Sequence, residues 1–549
     1  MEKIRVQNLT FKYPLAKKNA IEDINLTIEK SQFAVVCGKS GCGKSTLLRH
    51  LKKQMIPYGE KTGQVFIENT EIEEIDERKS VSQIGFIQQN PEAQIVTDKV
   101  WHELAFGLEN LGMANQVIKR RVAEMANYFG IQTWFQKDVT QLSGGQKQLL
   151  NLASVMVMQP EILILDEPTS QLDPIATSEF LNTLQKINKE LGTTIVISEH
   201  RLEEVIPMAD KIIVMDEGKI IANESPKKVV KLLDGPSVEK RHPMFYGFPT
   251  VMKIFQGEKW QGNSPLTVRD GRLLLEEKLA ARNVIPVKRE EKPFEFDDKQ
   301  GIIELKDVWF KYGKGQDFIL KGVDLKVPKG SFYCMLGGNG AGKSTLLKTV
   351  SGYIKPLRGK VKYMEDTKIS MVPQNPEALF TEITVEEEMY EGISHMAFDD
   401  DYKIKKVEEM LETMEIGHLR KANPYDLSGG EKQRLAIGKV LLTEPDVILL
   451  DEPTKGLDPF FKITLARIFF DLLDKGKTIF MVSHDIEFCA QYGEICAMFF
   501  DGEIVSYDQS KSFFAGNNFY TTSANKLFRN YNENIVTCEE AEQWLRKVL

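Results

Sequence analysis

Metal-binding cysteine pairs are missing from this chain. Its six cysteines, Cys37, Cys42, Cys334, Cys489, Cys496 and Cys538, form no Cys-x-x-Cys pair, which argues against zinc and iron–sulfur centres. They read as small buried apolar residues in a reducing cytosol. Long hydrophobic runs are missing too. The longest candidates, such as "EILILD" and "TTIVIS", are strand-length and flanked by charge. A membrane helix needs roughly 20 apolar residues. The start, "MEKIRVQNLTFKYP", has no apolar signal core. A basic surplus is also absent. Lys and Arg number 71 against 79 Asp and Glu, a net charge of −8, so no nucleic-acid partner is expected. These absences predict a cytosolic protein whose membrane partner, if it has one, is another chain.

What the chain does have is repetition. "GKSGCGKST" runs over 38–46, and "GGNGAGKST" over 337–345. Both fit the pattern Gly, four residues, Gly-Lys-Ser. Lys44 and Lys343 are offset by 299, and Gln89 and Gln374 by 285. Ser143 and Ser428, then Asp166 and Asp451, keep the offset of 285, and His200 and His484 are offset by 284. The second copy is therefore 14 residues shorter between its first two landmarks. A unit this long is not a solenoid repeat. With 549 residues, the chain exceeds what one core of about 250–300 residues holds. Two globular domains are expected over 1–224 and 301–512, with a linker over 225–300 and a tail over 513–549. The end of the linker, "PVKREEKPFEFDDKQ", reads as solvated. Its middle suggests a short helix with Leu273, Leu274, Leu275 and Leu279 on one face.

Strands alternate with helices in each copy. "SQFAVVCGKS" and "SFYCMLGGNG" are strands ending in the glycine loops, and "STLLRHLKK" and "STLLKTV" are the helices that follow. "EILILDE", "DVILLDE", "TTIVISEH" and "KTIFMVSHD" are strands of buried type. The pattern predicts α/β domains with a largely parallel sheet. The openings "IRVQNLTFKY" and "IIELKDVWFKY" suggest a small antiparallel subdomain in each.

The loop chemistry follows from residue type. Small residues at Gly38, Ser40, Gly41 and Gly43, and at Gly337, Asn339, Gly340 and Gly342, let backbone N–H groups close around phosphate oxygens. The next helix adds its dipole, with Thr46 and Thr345 in its first turn. Lys44 and Lys343 would reach the β- and γ-phosphates, and Ser45 and Ser344 would hold Mg2+. Asp166 and Asp451 end apolar strands and suit the metal side. Glu167 and Glu452 suit the residue that polarises an attacking water. "LSGGQ" and "LSGGE" begin helices at Ser143 and Ser428. With Gly145 and Gly430 they form a second anion site in each domain.

In this order the motifs resemble the ATP-binding cassette (ABC) ATPases, over about four fifths of the chain. The resemblance implies RecA-like parallel core sheets, each with an antiparallel β subdomain and a helical subdomain. It implies two cassettes packed head to tail as an intramolecular pseudo-dimer, each ATP lying between one glycine loop and the other cassette's signature. One site would then join Lys44, Ser45, Gln89, Asp166, Glu167 and His200 to Ser428 and Gly430. The other would join Lys343, Ser344, Gln374, Asp451, Glu452 and His484 to Ser143 and Gly145. Two loops are needed because one domain cannot complete a site. The resemblance further places Tyr13 and Tyr312 on adenine, Gln89 and Gln374 on Mg2+, and His200 and His484 at the γ-phosphate. "SQLD" (170–173) and "KGLD" (455–458) resemble the D-loops, and Lys455 departs from the commoner small residue. Both sites are expected to hydrolyse ATP.

Four further stretches resemble the fused double ATPase of energy-coupling-factor (ECF) importers of vitamins or cobalt and nickel ions. They are "QNPEAQIVTDKVWHELAFGLENLG" (89–112), "SPLTVRDGR" (264–272), "TKGLDP" (454–459) and "NNFYTTSANKLFRNYNENIVTCEEA" (517–541). The second glutamine loop, "QNPEALFTEITVEEEMYEG", lacks the "AFGLEN" pattern, so the two halves would grip different helices of a partner. This resemblance implies an integral membrane scaffold (T-type), a small substrate-binding membrane protein (S-type) and a place on the cytoplasmic face of the membrane. The competing reading is a ribosome-associated double cassette of the ABC-F type. The Gly and Pro residues of "GPSVEKRHPMFYGFP" suit its long helical linker poorly. A DNA-repair or chromosome ATPase would need zinc modules, iron–sulfur centres or sustained heptads, which the sequence does not offer.

Overall fold

The computed structural model describes residues 1–14, 16–235, 240–256, 264–280, 282, 284–289, 301–338 and 340–549. The chain divides into two compact units, Met1–Thr267 with Asp458–Phe460, and Val268–Leu457 with Phe461–Leu549.

The first unit is built on a six-stranded sheet. Its order is Lys219–Glu224, Lys211–Asp216, Phe33–Gly38, Thr194–Ser198, Ile162–Asp166, Ile84–Ile87. Only the edge hairpin of Lys211–Asp216 with Lys219–Glu224 is antiparallel; the other pairings are parallel. Strands buried on both faces need apolar residues throughout, hence "FAVV" and "ILIL". Alternate side chains enter different cores. Phe33, Val35 and Cys37 join the core that holds the helices. Ala34 and Val36 join the core shared with the small antiparallel sheet of Glu2–Lys12, Ile21–Glu29, Glu60–Ile67 and Thr70–Glu71. That is the period of two expected of a strand.

The second unit repeats the plan. Its sheet order is Ile369–Val372, Val447–Asp451, Thr478–Val482, Phe332–Leu336, Ile495–Phe500, Glu503–Gln509, and its antiparallel sheet is Gly301–Phe310, Leu320–Pro328, Arg358–Tyr363. Phe332, Cys334 and Leu336 enter one core, and Tyr333 and Met335 the other. Among the described residues the shorter second copy has no counterpart of the strand Thr70–Glu71 or the helix Glu77–Gln83. Five of the six cysteines are buried and Cys538 is half-buried. Among the described residues no helix is long and apolar enough to cross a membrane.

The stretch expected to be one linker is divided between the units. Its parts and the tail are a continuation of the duplication. Among the described residues each cassette is followed by three short α-helices, Pro226–Asp234, Thr250–Ile254 and Val268–Leu279 after the first, Ser510–Gly516, Ser523–Phe528 and Cys538–Val548 after the second. Thr250 N–H donates to Glu203 Oε2 at 2.9 Å. At the matching place Ser523 N–H donates to Glu487 Oε1 at 2.8 Å. The helix Val268–Leu279 forms as expected, but its face differs. Gly271, Leu275 and Leu279 are buried, whereas Leu273 is exposed and Leu274 half-buried. Positions four apart share a helix face, and adjacent leucines do not. Within the second unit this helix packs on Ser523–Phe528, and Arg272 Nε donates to the Lys526 carbonyl at 3.0 Å. Beyond it Val287 forms a parallel bridge to Asn532. The rest of "PVKREEKPFEFDDKQ", from residue 290, lies outside the described residues.

Candidate functional site: two phosphate loops

Each glycine loop joins the end of a central strand to the start of a helix, Lys44–His50 in one unit and Lys343–Val350 in the other. Gly43 shows why glycine is needed. Its φ is 100°, and a Cβ there would lie 2.4 Å from the Ala20 carbonyl oxygen. Gly342 repeats this, with φ 106° and 2.8 Å to the Ile319 oxygen. Asn339 lies outside the described residues.

The lysines turn back into their own loops. Lys44 Nζ donates to the Gly38 and Lys39 carbonyls, both at 3.1 Å. Lys343 Nζ donates to Gly337 and Gly338, both at 2.9 Å. Each lysine is thus buried against the backbone of its own glycine loop, within reach of a phosphate that the loop would hold. Tyr13 and Tyr312 stand at the loop mouths. Their hydroxyls lie 3.1 Å from Thr46 Oγ1 and 3.3 Å from Thr345 Oγ1, and Tyr312 is 58% exposed.

The acidic pairs sit where the strands Ile162–Asp166 and Val447–Asp451 end. Ser45 Oγ donates to Asp166 Oδ1 at 3.0 Å. Burial pushes both aspartate carboxyls up, with Ser344 bonding beside Asp451. Asp451 Oδ1 is buried without a hydrogen-bond partner. An orphaned carboxylate oxygen beside a serine hydroxyl suits the oxygen shell of Mg2+, so Ser45, Asp166, Ser344 and Asp451 fit the ion.

Glu167 and Glu452 both have left-handed backbones, φ 45° and 55°. Such strain at a non-glycine residue costs on the order of 1–3 kcal/mol and concentrates at functional sites. Their side chains are held differently. His200 Nε2 lies 2.9 Å from Glu167 Oε1, and Gln89 Nε2 donates to Glu167 Oε2 at 2.9 Å. Burial alone would push this carboxyl up, but His200 and Lys44 beside it hold it at about 2. In the second unit His484 Nε2 lies 3.1 Å from Glu452 Oε1 and 3.2 Å from Lys343 Nζ. Burial pushes Glu452 up to about 7 despite Lys343. Gln374 is exposed and has no hydrogen bond to Glu452, so the two glutamine loops are not equivalent here.

The signature serines are exposed N-caps of the helices Gly144–Met156 and Gly429–Leu442. Ser143 N–H donates to Gln146 Oε1 at 3.0 Å, and Ser428 N–H to Glu431 Oε2 at 2.9 Å. Each capping box occupies two N–H groups at its helix N-terminus, and the second carries the acidic Glu431 where the first has neutral Gln146.

Two residues at this site escaped the sequence reading. Ser198 and Glu199 stand opposite Val482 and Ser483 when "TIVISEH" is laid on "TIFMVSHD" from Thr194 and Thr478. No change of offset marks them, since it is already 284 at Thr194 and Thr478.

The comparisons agree with this geometry. The family model described as ABC transporter matches residues 21–170 and 320–455. A candidate ABC transporter ATP-binding protein of Bacillus anthracis is 42% identical over 537 residues, covering 95% of both chains. The structure of cbiO1 from Clostridium perfringens, part of the ABC transporter complex cbiONQ, is 30% identical. It covers 44% of this chain and 99% of its own, with a TM-score of 0.39. The archaeal ribosome recycling factor aABCE1, in complex with the ribosomal stalk protein aP1, covers 93% of this chain and 91% of its own. Its TM-score is 0.59 at 19% identity, a likeness of fold alone. The chain belongs to the ABC transporter family of ATP-binding proteins and carries two of the family's domains in tandem.

Proposed function

We propose that the chain is the ATP-hydrolysing motor of a membrane importer of the ECF type, taking up a vitamin or a transition-metal ion. The observation that carries this reading is the path from Glu167 to the surface. Gln89 bonds Glu167 and begins the stretch 89–112, which folds as a turn and the helix Val100–Asn110. Val96 and Trp101 on that stretch are 67% and 40% exposed, an apolar surface for a partner's helix. The name of the Bacillus anthracis relative, a transporter's ATP-binding protein, supports the transport part of this reading and says nothing of its direction or cargo.

In this reading each cassette binds ATP with Mg2+ on its own loop, and the signature of the other completes the site. ATP favours the closed arrangement, and hydrolysis releases it. Fusion of the two cassettes makes their encounter intramolecular. The motion passes through the Gln89 and Gln374 loops to an integral membrane scaffold on a separate chain. A small membrane protein, also separate, binds the cargo. The chain then works at the cytoplasmic face of the membrane. A ribosome-associated double cassette is the competing function. No observation here favours it, and the longest helix described between the cassettes has only 12 residues.

The test is affinity purification of the tagged chain from gently solubilised cells, followed by mass spectrometry. One polytopic scaffold plus small, very hydrophobic proteins is the expected outcome, and the small protein would point to the cargo. Ribosomal proteins, or no membrane protein, would overturn the transport reading.

A further inference from the structure

Glu199 is a carboxyl that the ATPase scheme does not use. It is 2% exposed, and burying such a group is costly unless it is bonded. Its bonds are specific. Glu199 Oε1 accepts from Thr169 N–H at 3.1 Å and from Thr169 Oγ1 at 2.7 Å. Its Oε2 accepts from His200 N–H at 3.2 Å. One side chain therefore ties together the two turns that carry Glu167 and His200.

The second unit shows what happens without it. Ser483 stands at that place and its hydroxyl accepts from Asp485 N–H at 3.0 Å. The histidine backbone needs another acceptor, and His484 N–H donates to Glu452 Oε2 at 3.1 Å. There the hydrolytic glutamate itself caps the histidine turn. In the first unit Glu199 takes over that task, which leaves both oxygens of Glu167 to Gln89 and the His200 ring.

We propose that Glu199 is a positioning residue of the first site: it holds the His200 backbone and the Thr169 turn so that Glu167 faces Gln89 and the imidazole rather than its own loop. The inference rests on the reading of these sites as ATPases. It gives the two sites unequal hydrolytic geometry from a cause inside each cassette.

The test is single-turnover ATP hydrolysis by the full chain in a Glu452→Gln background, so that the first site is read alone. Glu199→Gln keeps the volume and the acceptor facing Thr169, but turns a donor toward His200 N–H. The expected result is a fall in the hydrolysis rate of about ten- to hundredfold, the scale of a small misplacement of reacting groups. The ATP concentration at half-saturation and the melting temperature should stay near those of the parent. Glu199→Ser, the arrangement of the second copy, should match it in rate. An unchanged rate in Glu199→Gln would overturn the proposal. So would a loss of ATP affinity and melting temperature in step with rate, since that marks a purely structural carboxyl. Absence of ATPase in the unsubstituted chain would overturn the hydrolytic reading itself. Activity there but none in the Glu452→Gln parent would overturn the site-by-site role assigned to Glu199.

Discussion

Ser198 donates its hydroxyl to Asp166 Oδ1 at 2.8 Å, and the matching position in the second cassette is Val482, whose side chain has no hydroxyl to give. Ser198 Oγ also accepts from Glu167 N–H at 2.9 Å, so it fixes both acidic residues at once. Ser198→Val should loosen the carboxylate assigned to Mg2+. The expected outcome is a rise of about ten- to a hundredfold in the Mg2+ concentration giving half-maximal ATPase, on the scale of losing one hydrogen bond to a charged group. A Mg2+ titration of steady-state ATPase at fixed nucleotide checks this. An unchanged midpoint would show that Ser198 only supports the fold.

Glu167→Gln and Glu452→Gln should each lower steady-state ATPase, and together they should abolish it. Removing one group that acts on the reacting water is expected to slow its own site by about a hundredfold. ATP binding should survive, because Lys44 and Lys343 are untouched. If Glu452→Gln left the rate unchanged while Glu167→Gln abolished it, hydrolysis at both sites would be wrong.

Ser143→Arg together with Ser428→Arg tests the role given to the signatures. A bulky cation at an exposed N-cap should block cassette closure but not the separate glycine loops. Hydrolysis and transport should be lost while nucleotide binding, measured by fluorescent ATP analogue titration, persists. Loss of nucleotide binding itself would count against this division of labour.

Much of the cassette could be read before any coordinates. Runs such as "FAVV" and "VILLD", short, rich in β-branched residues and bounded by polar residues or glycine, read as strands buried on both faces, and a glycine loop between such a strand and a helix reads as a phosphate site. The extension after each cassette was harder. Its two copies share a pattern rather than residues: Thr250 and Ser523 are the first residues of short helices, Lys253 and Lys526 follow three places on, and Gly271 with Leu275 matches Ala541 with Leu545. The equivalence becomes plain only when Glu203 and Glu487 are seen to accept the matching backbone N–H groups of Thr250 and Ser523. Glu199 was illegible for a different reason. A charged residue beside a histidine in a loop is ordinary, and only burial and three bonds give it meaning.

Leu275→Ala should destabilise the second unit although Leu275 belongs by sequence to the stretch between the cassettes. Leu275 is 0% exposed, and its helix packs on Ser523–Phe528. The loss should be about 2–4 kcal/mol, as for a buried leucine whose cavity stays partly open. Leu273→Ala, on the exposed face of the same helix, should stay within about 0.5 kcal/mol. Paired denaturant melts decide it, and equal effects would place Leu275 outside the core.

Lys52 offers a stability prediction with a definite sign. Its ammonium donates to the Ile84 carbonyl oxygen, and burial pulls its pKa down from 10.5 to about 8. A lysine whose folded value is depressed destabilises the fold fully below the folded value, where both states hold the proton. Between about pH 8 and 10.5 the unfolded chain binds more protons, so stability rises with pH. Lys52→Met keeps the apolar stem and removes the charge. It should raise the unfolding free energy of the first unit by about 1–3 kcal/mol at pH 7 and flatten the rise above pH 8. The second copy has Ser351 at this place, with its hydroxyl on the Lys348 carbonyl at 3.0 Å, so no matching pH dependence is expected there. Melts at pH 7 and pH 10 on both forms decide it: an Lys52→Met chain less stable at pH 7 would mean that the bond to Ile84 outweighs the buried charge.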